Sequence, residues 1–179
     1  MTPLLSIRWC EDVSEAPALG AFFAANLTAS YISHAELQGR RALGPGIWAS
    51  DIAQILVRDI ASRCHLDHEA PPDGDITRHA VVAEIDGVPV GLALLAFSAQ
   101  AAVPFGIIED IVVSQEARGS GHGTAMMVWI LDAFRQRGLK RAFLESGGSN
   151  HEAHGFFARW GFHQTSIVMM AELHGQDSL

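Results

Sequence analysis

Cysteine, positive charge and long apolar runs are all scarce in this 179-residue chain. Only Cys10 and Cys64 carry thiols. Two thiols could pair, but nothing about them suggests a secreted disulfide scaffold, so a reduced cytoplasmic protein is the expectation. Lys and Arg number 12 against 20 Asp and Glu, a net charge of −8. A nucleic-acid binder needs a basic face, so no nucleic-acid partner is expected. The acidic balance is compatible with a cationic substrate such as an amine. No apolar stretch approaches the ~20 residues of a membrane span. Residues 1–9 hold no basic region followed by a long apolar run, so neither a membrane partner nor a signal peptide is expected.

Apolar residues make up 49% of the chain, ample for a core, and the length suits one domain. The chain is organised around residues 107–123, I-I-E-D-I-V-V-S-Q-E-A-R-G-S-G-H-G. The stretch opens as a strand, because Ile107, Ile108, Ile111, Val112 and Val113 are β-branched. It closes as a turn in which Gly119, Gly121 and Gly123 let the backbone curl and aim several N–H groups one way. A helix is expected from about residue 123 to 136, and its positive dipole end falls at the same place. Strand, glycine turn and helix start together predict an anion cradle, with pyrophosphate the usual occupant. A dinucleotide fingerprint needs G-x-G-x-x-G and an acidic residue about 20 positions on. The glycines here do not have that spacing, and a Walker ending of Gly-Lys-Ser/Thr is absent.

The spacing of Arg118, Gly121 and Gly123 resembles the R-x-x-G-x-G turn of the GNAT superfamily of acyl-CoA-dependent N-acetyltransferases. The strand and turn together look like those of its diamine acetyltransferase branch. A second motif agrees: N-H-E-A-H-G-F-F-A-R-W-G-F from Asn150 is similar to the family's Asn, helix, aromatic and closing Gly-Phe, here Gly161-Phe162. The resemblance covers residues 77–173. It implies a single-domain α/β fold with a mixed, mostly antiparallel sheet flanked by helices. Residues 1–76 would supply a strand and two helices on the acceptor side, and residues 77–173 the hairpin, the cradle and the C-terminal part.

The elements read from the residues agree with that plan. A strand is expected over 4–9, an alanine-rich helix over 15–30 with Leu19, Phe22, Phe23 and Leu27 inward, and a helix over 49–64 with Ile52, Ile55, Leu56 and Ile60 inward. Residues 31–48 read as a loop or short helix. Residues 64–69, C-H-L-D-H-E, invite a metal reading, but the spacing matches no zinc pattern and a solvated helix end fits better. Strands over 78–85 and 88–97 flank Asp86-Gly87, a hairpin signal. Gly91 leaves room for a close approach or marks a bulge. After the cradle the pattern predicts a helix over 124–137 ended by Gly138, a strand over 140–145, a short helix from Asn150 to about Trp160, a last strand over 162–173 and a frayed tail.

The resemblance implies attack of an amine on the thioester of acetyl-CoA as co-substrate. A base must take a proton from the ammonium, and charge must be stabilised on the thioester oxygen and the leaving thiolate. Backbone amides of Ile111, Val112 and Val113 would hold the pantetheine arm. The turn Arg118, Gly119, Ser120, Gly121, His122, Gly123 and Thr124 would take the pyrophosphate, His122 through its backbone. Asn150 and Phe157 belong to the second motif. For the base Glu109 stands first, since a carboxylate among apolar strand residues is costly without a task or a partner; a salt bridge to a neighbouring strand is the plain alternative. Strand alternation sets Glu109, Ile111 and Val113 on one face and Asp110 and Val112 on the other, so only one of the two acids should face the site. Where the family often has an acid tyrosine this chain has Phe157, and Tyr31 is its only tyrosine. The thiolate could leave unassisted, His154 or His151 could substitute, or the chain could bind an acyl-CoA without turning it over. By fold analogy, Tyr31, His34, Glu36 and Trp48 would wall the acceptor site for a small-molecule amine, with a protein side chain or N-terminus as the rival acceptor. A homodimer is a family habit.

Overall fold

The computed structural model describes residues 4–65 and 76–173. The first strand is β1 (Leu5–Trp9), followed by α1 (Ala16–Asn26), α2 (His34–Gln38), the short strands β2 (Ala42–Gly44) and β3 (Ile47–Trp48), and α3 (Ile52–Ala61). Then come β4 (Ile76–Ile85), β5 (Val88–Ser98), β6 (Phe105–Val113), α4 (His122–Gln136), β7 (Arg141–Leu144) and α5 (His151–Ala158). Five strands form one sheet in the order β1-β4-β5-β6-β7, and β2 pairs with β3. The pairs β1–β4, β4–β5 and β5–β6 are antiparallel, and β6–β7 is parallel. This is the mixed, mostly antiparallel sheet with flanking helices that the sequence predicts.

The central strand β5 is buried on both sides, with Leu92 to Ala96 at 0% exposure. That explains its unbroken apolar run in place of an alternating one. One core, under α1 and α3, holds Leu19, Phe23, Leu56 and Ile60 against Ala80, Val82, Leu92, Leu94 and Val112. The other lies under α4 and α5 and holds Met126, Met127, Ile130, Phe134 and Phe157 against Val81, Ala93, Leu95 and Ile108. Asp86 (φ 51°) and Gly87 (φ 78°) are both left-handed, as a two-residue hairpin turn requires. The room at Gly91 is taken by the Met126 thioether.

Several expectations are corrected. Residues 31–48 take the short helix of the two alternatives, α2, and add the unforeseen β2–β3 hairpin. Residues 162–173 form no strand. They run exposed past α5, with Ile167 at 75%, Met169 at 90% and Leu173 at 94%. The residues favour a strand, but a strand forms only where a neighbouring edge accepts its backbone groups, and none receives it here. Cys10 and Cys64 are joined in a disulfide, Cα–Cα 4.9 Å, tying the end of β1 to the end of α3. Of the run 64–69, residues 66–69 lie outside the described residues, as does the tail 174–179. Among the described residues no helix is long and apolar enough to cross a membrane.

Candidate active site

The site begins where two strands part. β6 pairs with β7 from Phe105↔Arg141 to Ile108↔Leu144, and β6 then runs on to Val113 without it. A bulge sits at the same point: Leu94 pairs with Asp110 while Leu95 pairs with Ile108, so Glu109 is the extra residue. A bulge bends a strand and increases its twist, which suits a strand leaving its neighbour.

The bulge also overturns the expected alternation. Ile108 joins the α4-side core and Val112 the α1/α3-side core. Glu109 bonds Arg63 at the end of α3 and Arg78 on β4, and Asp110 bonds Arg41 and Tyr31. Both acids therefore lie on the α1/α3 side, because the extra residue cancels one step of the two-residue period. Ile111 and Val113 return to the α4 side.

The two acids differ in environment. Glu109 receives Arg63 at 2.8 Å and Arg78 at 3.0 Å. Burial favours its neutral form, but the two guanidinium groups outweigh this and hold its carboxyl below the usual range. Asp110 is deeper, its side chain 2% exposed, with Arg41 Nη1 at 3.0 and 2.9 Å from its two oxygens. Burial here outweighs the pull of Arg41 and of the Tyr31 hydrogen bond, and Glu36 adds its own push; the Asp110 carboxyl is raised to about 6. Arg41 is shared with Asp59, Nη2 to Oδ2 2.7 Å. Burial opposes the Arg41 charge, but its carboxylate partners hold the guanidinium firmly protonated.

Tyr31 ends a 3-10 turn, Ala29–Tyr31, that follows α1. Its hydroxyl donates to Asp110 Oδ1 at 3.0 Å and accepts the Ile111 N–H at 3.2 Å. Burial and the Asp110 charge push the phenol well above its ordinary value. The turn is held from the far side by Gly147, where a Cβ would collide with the carbonyl oxygens of Ser30 and Ile32. Beside it the Ser146 hydroxyl is buried with no hydrogen-bond partner.

The other expected acceptor residues have structural partners. Glu36 closes a capping box with Ser33, accepting its N–H at 2.8 Å and its hydroxyl at 2.6 Å. His34 Nδ1 and the Ala35 N–H both contact Glu145 at the end of β7. Trp48 donates its indole N–H to the Thr28 carbonyl at 3.3 Å and lies beside Tyr31.

Beyond the far end of β6 the glycine turn leads into α4. Gly119 (φ 80°) and Gly121 (φ 85°) are left-handed, with open space where a Cβ would sit. Arg118, Gly119, Ser120 and Gly121 are exposed, and Gly121 leads directly into α4. The first amides of that helix, those of His122, Gly123 and Thr124, have no carbonyl one turn earlier to bond. Gln115 N–H bonds Asn26 Oδ1 at 2.8 Å, fastening the turn to the end of α1. Gly123 packs against Phe156 and Val113. Asn150 caps α5 by accepting from the Ala153 N–H. Phe157 is buried in the α4-side core, and His154 is exposed beside His151.

Sequence reasoning missed Arg41, Arg63, Arg78 and Ser146. Only the cost of burying two adjacent carboxylates in an apolar strand hints at the arginines, and it does not say which ones.

The model of the acetyltransferase (GNAT) family matches residues 50–162, and the chain belongs to that family. Its class is therefore acyltransferase. Among solved structures it is similar over 97% of its length to a possible acetyltransferase from Clostridium difficile 630, with 99% of that chain covered, TM-score 0.64 and 12% identity. A ribosomal-protein-alanine N-acetyltransferase from Brucella melitensis biovar Abortus 2308 superposes with TM-score 0.62 and 14% identity, covering 94% of this chain and 99% of that one. The aminoglycoside N-acetyltransferase AAC(6')-Iy, solved with CoA, does so with TM-score 0.63 and 13% identity, over 98% of each chain. No curated protein matches the sequence.

Proposed function

We propose that this chain is an acetyl-CoA-dependent N-acetyltransferase acting on the primary amine of a small molecule that is amino-acid-like, polyamine or aminoglycoside-like. The observation that carries the reading is the continuity of one strand. β6 bears Asp110 where β7 leaves it and ends at Val113, from which the 3-10 turn Gln115–Ala117 leads to the open glycine turn Arg118–Gly121. Pyrophosphate on the turn would let the pantetheine arm run back along the unpaired β6 edge. Asp110 is the better base of the two acids. Its carboxyl, at about 6, is ionised at neutral pH yet still able to take a proton, whereas Glu109 is held by two arginines.

Phe157 supports a second reading, a catalytically weak acyl-CoA-binding module, since its ring is core and carries no hydroxyl. The experiment is calorimetric titration with acetyl-CoA, followed by release of free thiol with a panel of spermidine, kanamycin and amino-acid amides. Binding with turnover supports the enzyme; binding without turnover on the whole panel supports the module; absence of binding contradicts both. We read the chain as one domain; the Cys10–Cys64 bond counts against the reducing cytoplasm that the sequence alone suggested. We also read it as a homodimer in which the exposed run of residues 167–171 finds a strand edge in a second copy; sedimentation as a monomer would contradict that.

A further inference from the structure

Asp110 is suited to hold a proton, but it cannot collect one directly. Its side chain is 2% exposed, and Arg41 occupies both of its oxygens. The Tyr31 hydroxyl bridges that gap. It touches Asp110 Oδ1 at 3.0 Å, and it touches the Ile111 N–H at 3.2 Å on the part of β6 that β7 no longer covers. A thioester lying along that edge would meet this amide and this hydroxyl together. Tyr31 as a whole residue is half-buried.

We infer that Tyr31 is a catalytic residue whose hydroxyl relays a proton from the acceptor ammonium to Asp110 and returns it to the departing thiolate of CoA. This rests on the acetyl transfer proposed above. The ammonium gives one proton to the Tyr31 oxygen as Tyr31 gives its own to Asp110 Oδ1. The phenol is unchanged, the carboxyl is neutral and the amine has a free lone pair. That pair forms the C–N bond to the thioester carbon, and the carbonyl π pair moves onto oxygen. Collapse re-forms the carbonyl and breaks the C–S bond, its electrons going to sulfur. Tyr31 protonates the sulfur while Asp110 refills the Tyr31 oxygen. The second ammonium proton leaves to water. The sum is one amide, one CoA thiol, one released proton and an ionised Asp110.

The surroundings suit the cycle. Asp110 is faced by Tyr31 from the turn after α1, by Arg41 from the segment before β2, and by Glu36 from α2, with Asp59 of α3 holding the other side of Arg41. Burial and the nearby carboxylate keep the phenol protonated, so it donates. The relay also removes the difficulty posed by Phe157. The acid comes from the α1 side of the cleft, and the α5 position is free to be core.

The test uses the fact that Tyr31 is the only tyrosine. Protein labelled with 13C at the tyrosine ζ carbon gives one resonance, that of the carbon bearing this hydroxyl. In the wild-type protein the resonance should titrate with Asp110 near pH 6, and it should shift when acetyl-CoA is added. In Tyr31→Phe, turnover with the amines that serve the wild type should fall by about 100-fold or more, with acetyl-CoA affinity by calorimetry unchanged. A resonance that stays fixed while calorimetry registers acetyl-CoA binding overturns the relay, as does full turnover by Tyr31→Phe. Absence of acetyl-CoA binding overturns the acetyl-transfer reading and the relay with it, and is distinguished by the calorimetry alone.

Discussion

Replacing Arg41 with Met would leave Asp110 buried with only the Tyr31 hydroxyl as partner. Breaking a buried ion pair in this way costs about 3–5 kcal/mol when the remaining group stays charged. Asp110 need not stay charged. Its carboxyl is already raised to about 6 with Arg41 in place, and without that cation it rises further. Above pH 6 the folded variant then keeps a proton that its unfolded chain and the folded wild type have both lost. Stability that depends on a raised carboxyl is full below the unfolded value and is lost as pH rises, with a slope of about 1.4 kcal/mol per pH unit. Between pH 6 and 8 the gap between wild type and variant should therefore widen by about 2–3 kcal/mol. Urea melts followed by the fluorescence of the four tryptophans measure it. The double variant Arg41→Met, Asp110→Asn should remove the pH dependence. A destabilisation of Arg41→Met that is the same at both pH values would refute the reasoning.

Other expectations follow from the same geometry. Gly121→Val puts a β-branched residue at φ 85° in the cradle, and acetyl-CoA affinity should fall by about tenfold or more; unaltered affinity by calorimetry would contradict the cradle. Glu109→Gln should leave turnover near the wild-type level while costing about 1–2 kcal/mol of stability at neutral pH through weakened pairing to Arg63 and Arg78. Because the Glu109 carboxyl is lowered, that stability is present above the ordinary carboxylate range and lost as pH falls through its lowered value. A collapse of turnover in Glu109→Gln would return the base to Glu109. Cys10→Ser opens a cross-link spanning 54 residues, worth about 4 kcal/mol in the chain-entropy account, so the melting temperature should fall by about 10 °C. The wild type should fall likewise under dithiothreitol, and indifference to the reductant would mean the bond carries no such weight.

The parts of this fold that were legible in the sequence rest on local chemistry. Asp86-Gly87 demands a left-handed turn whatever surrounds it, and the glycine turn after β6 announces itself by residue type. The parts that were not legible depend on partners distant in sequence. A bulge adds one residue to one strand and leaves no compositional mark, yet it carries Glu109 to the same side as Asp110. The arginines that separate the two acids come from beyond α2, from the end of α3 and from β4, and each reads locally as a solvated charge. The run 162–173 looks like a strand to any local rule, but pairing needs an edge, and among the described residues no edge of the sheet takes it up. Tyr31 and Asp110 are 79 positions apart, and only the folded chain joins them. The likeness to the diamine acetyltransferase branch rests on the motif of residues 109–123, while the family model and the solved structures speak for the family and the fold.

The central claim is that β6 and its glycine turn hold acetyl-CoA with Asp110 as the base beside it. The most direct test is kcat/KM for acetyl transfer from acetyl-CoA, measured from pH 5 to 8 in the wild type and in Asp110→Asn. The account predicts a wild-type rate that rises through a single ionisation near pH 6 to a plateau, and a variant that binds acetyl-CoA but has lost about 100-fold or more in rate together with that ionisation. A variant that keeps both the rate and the pH profile of the wild type would contradict it.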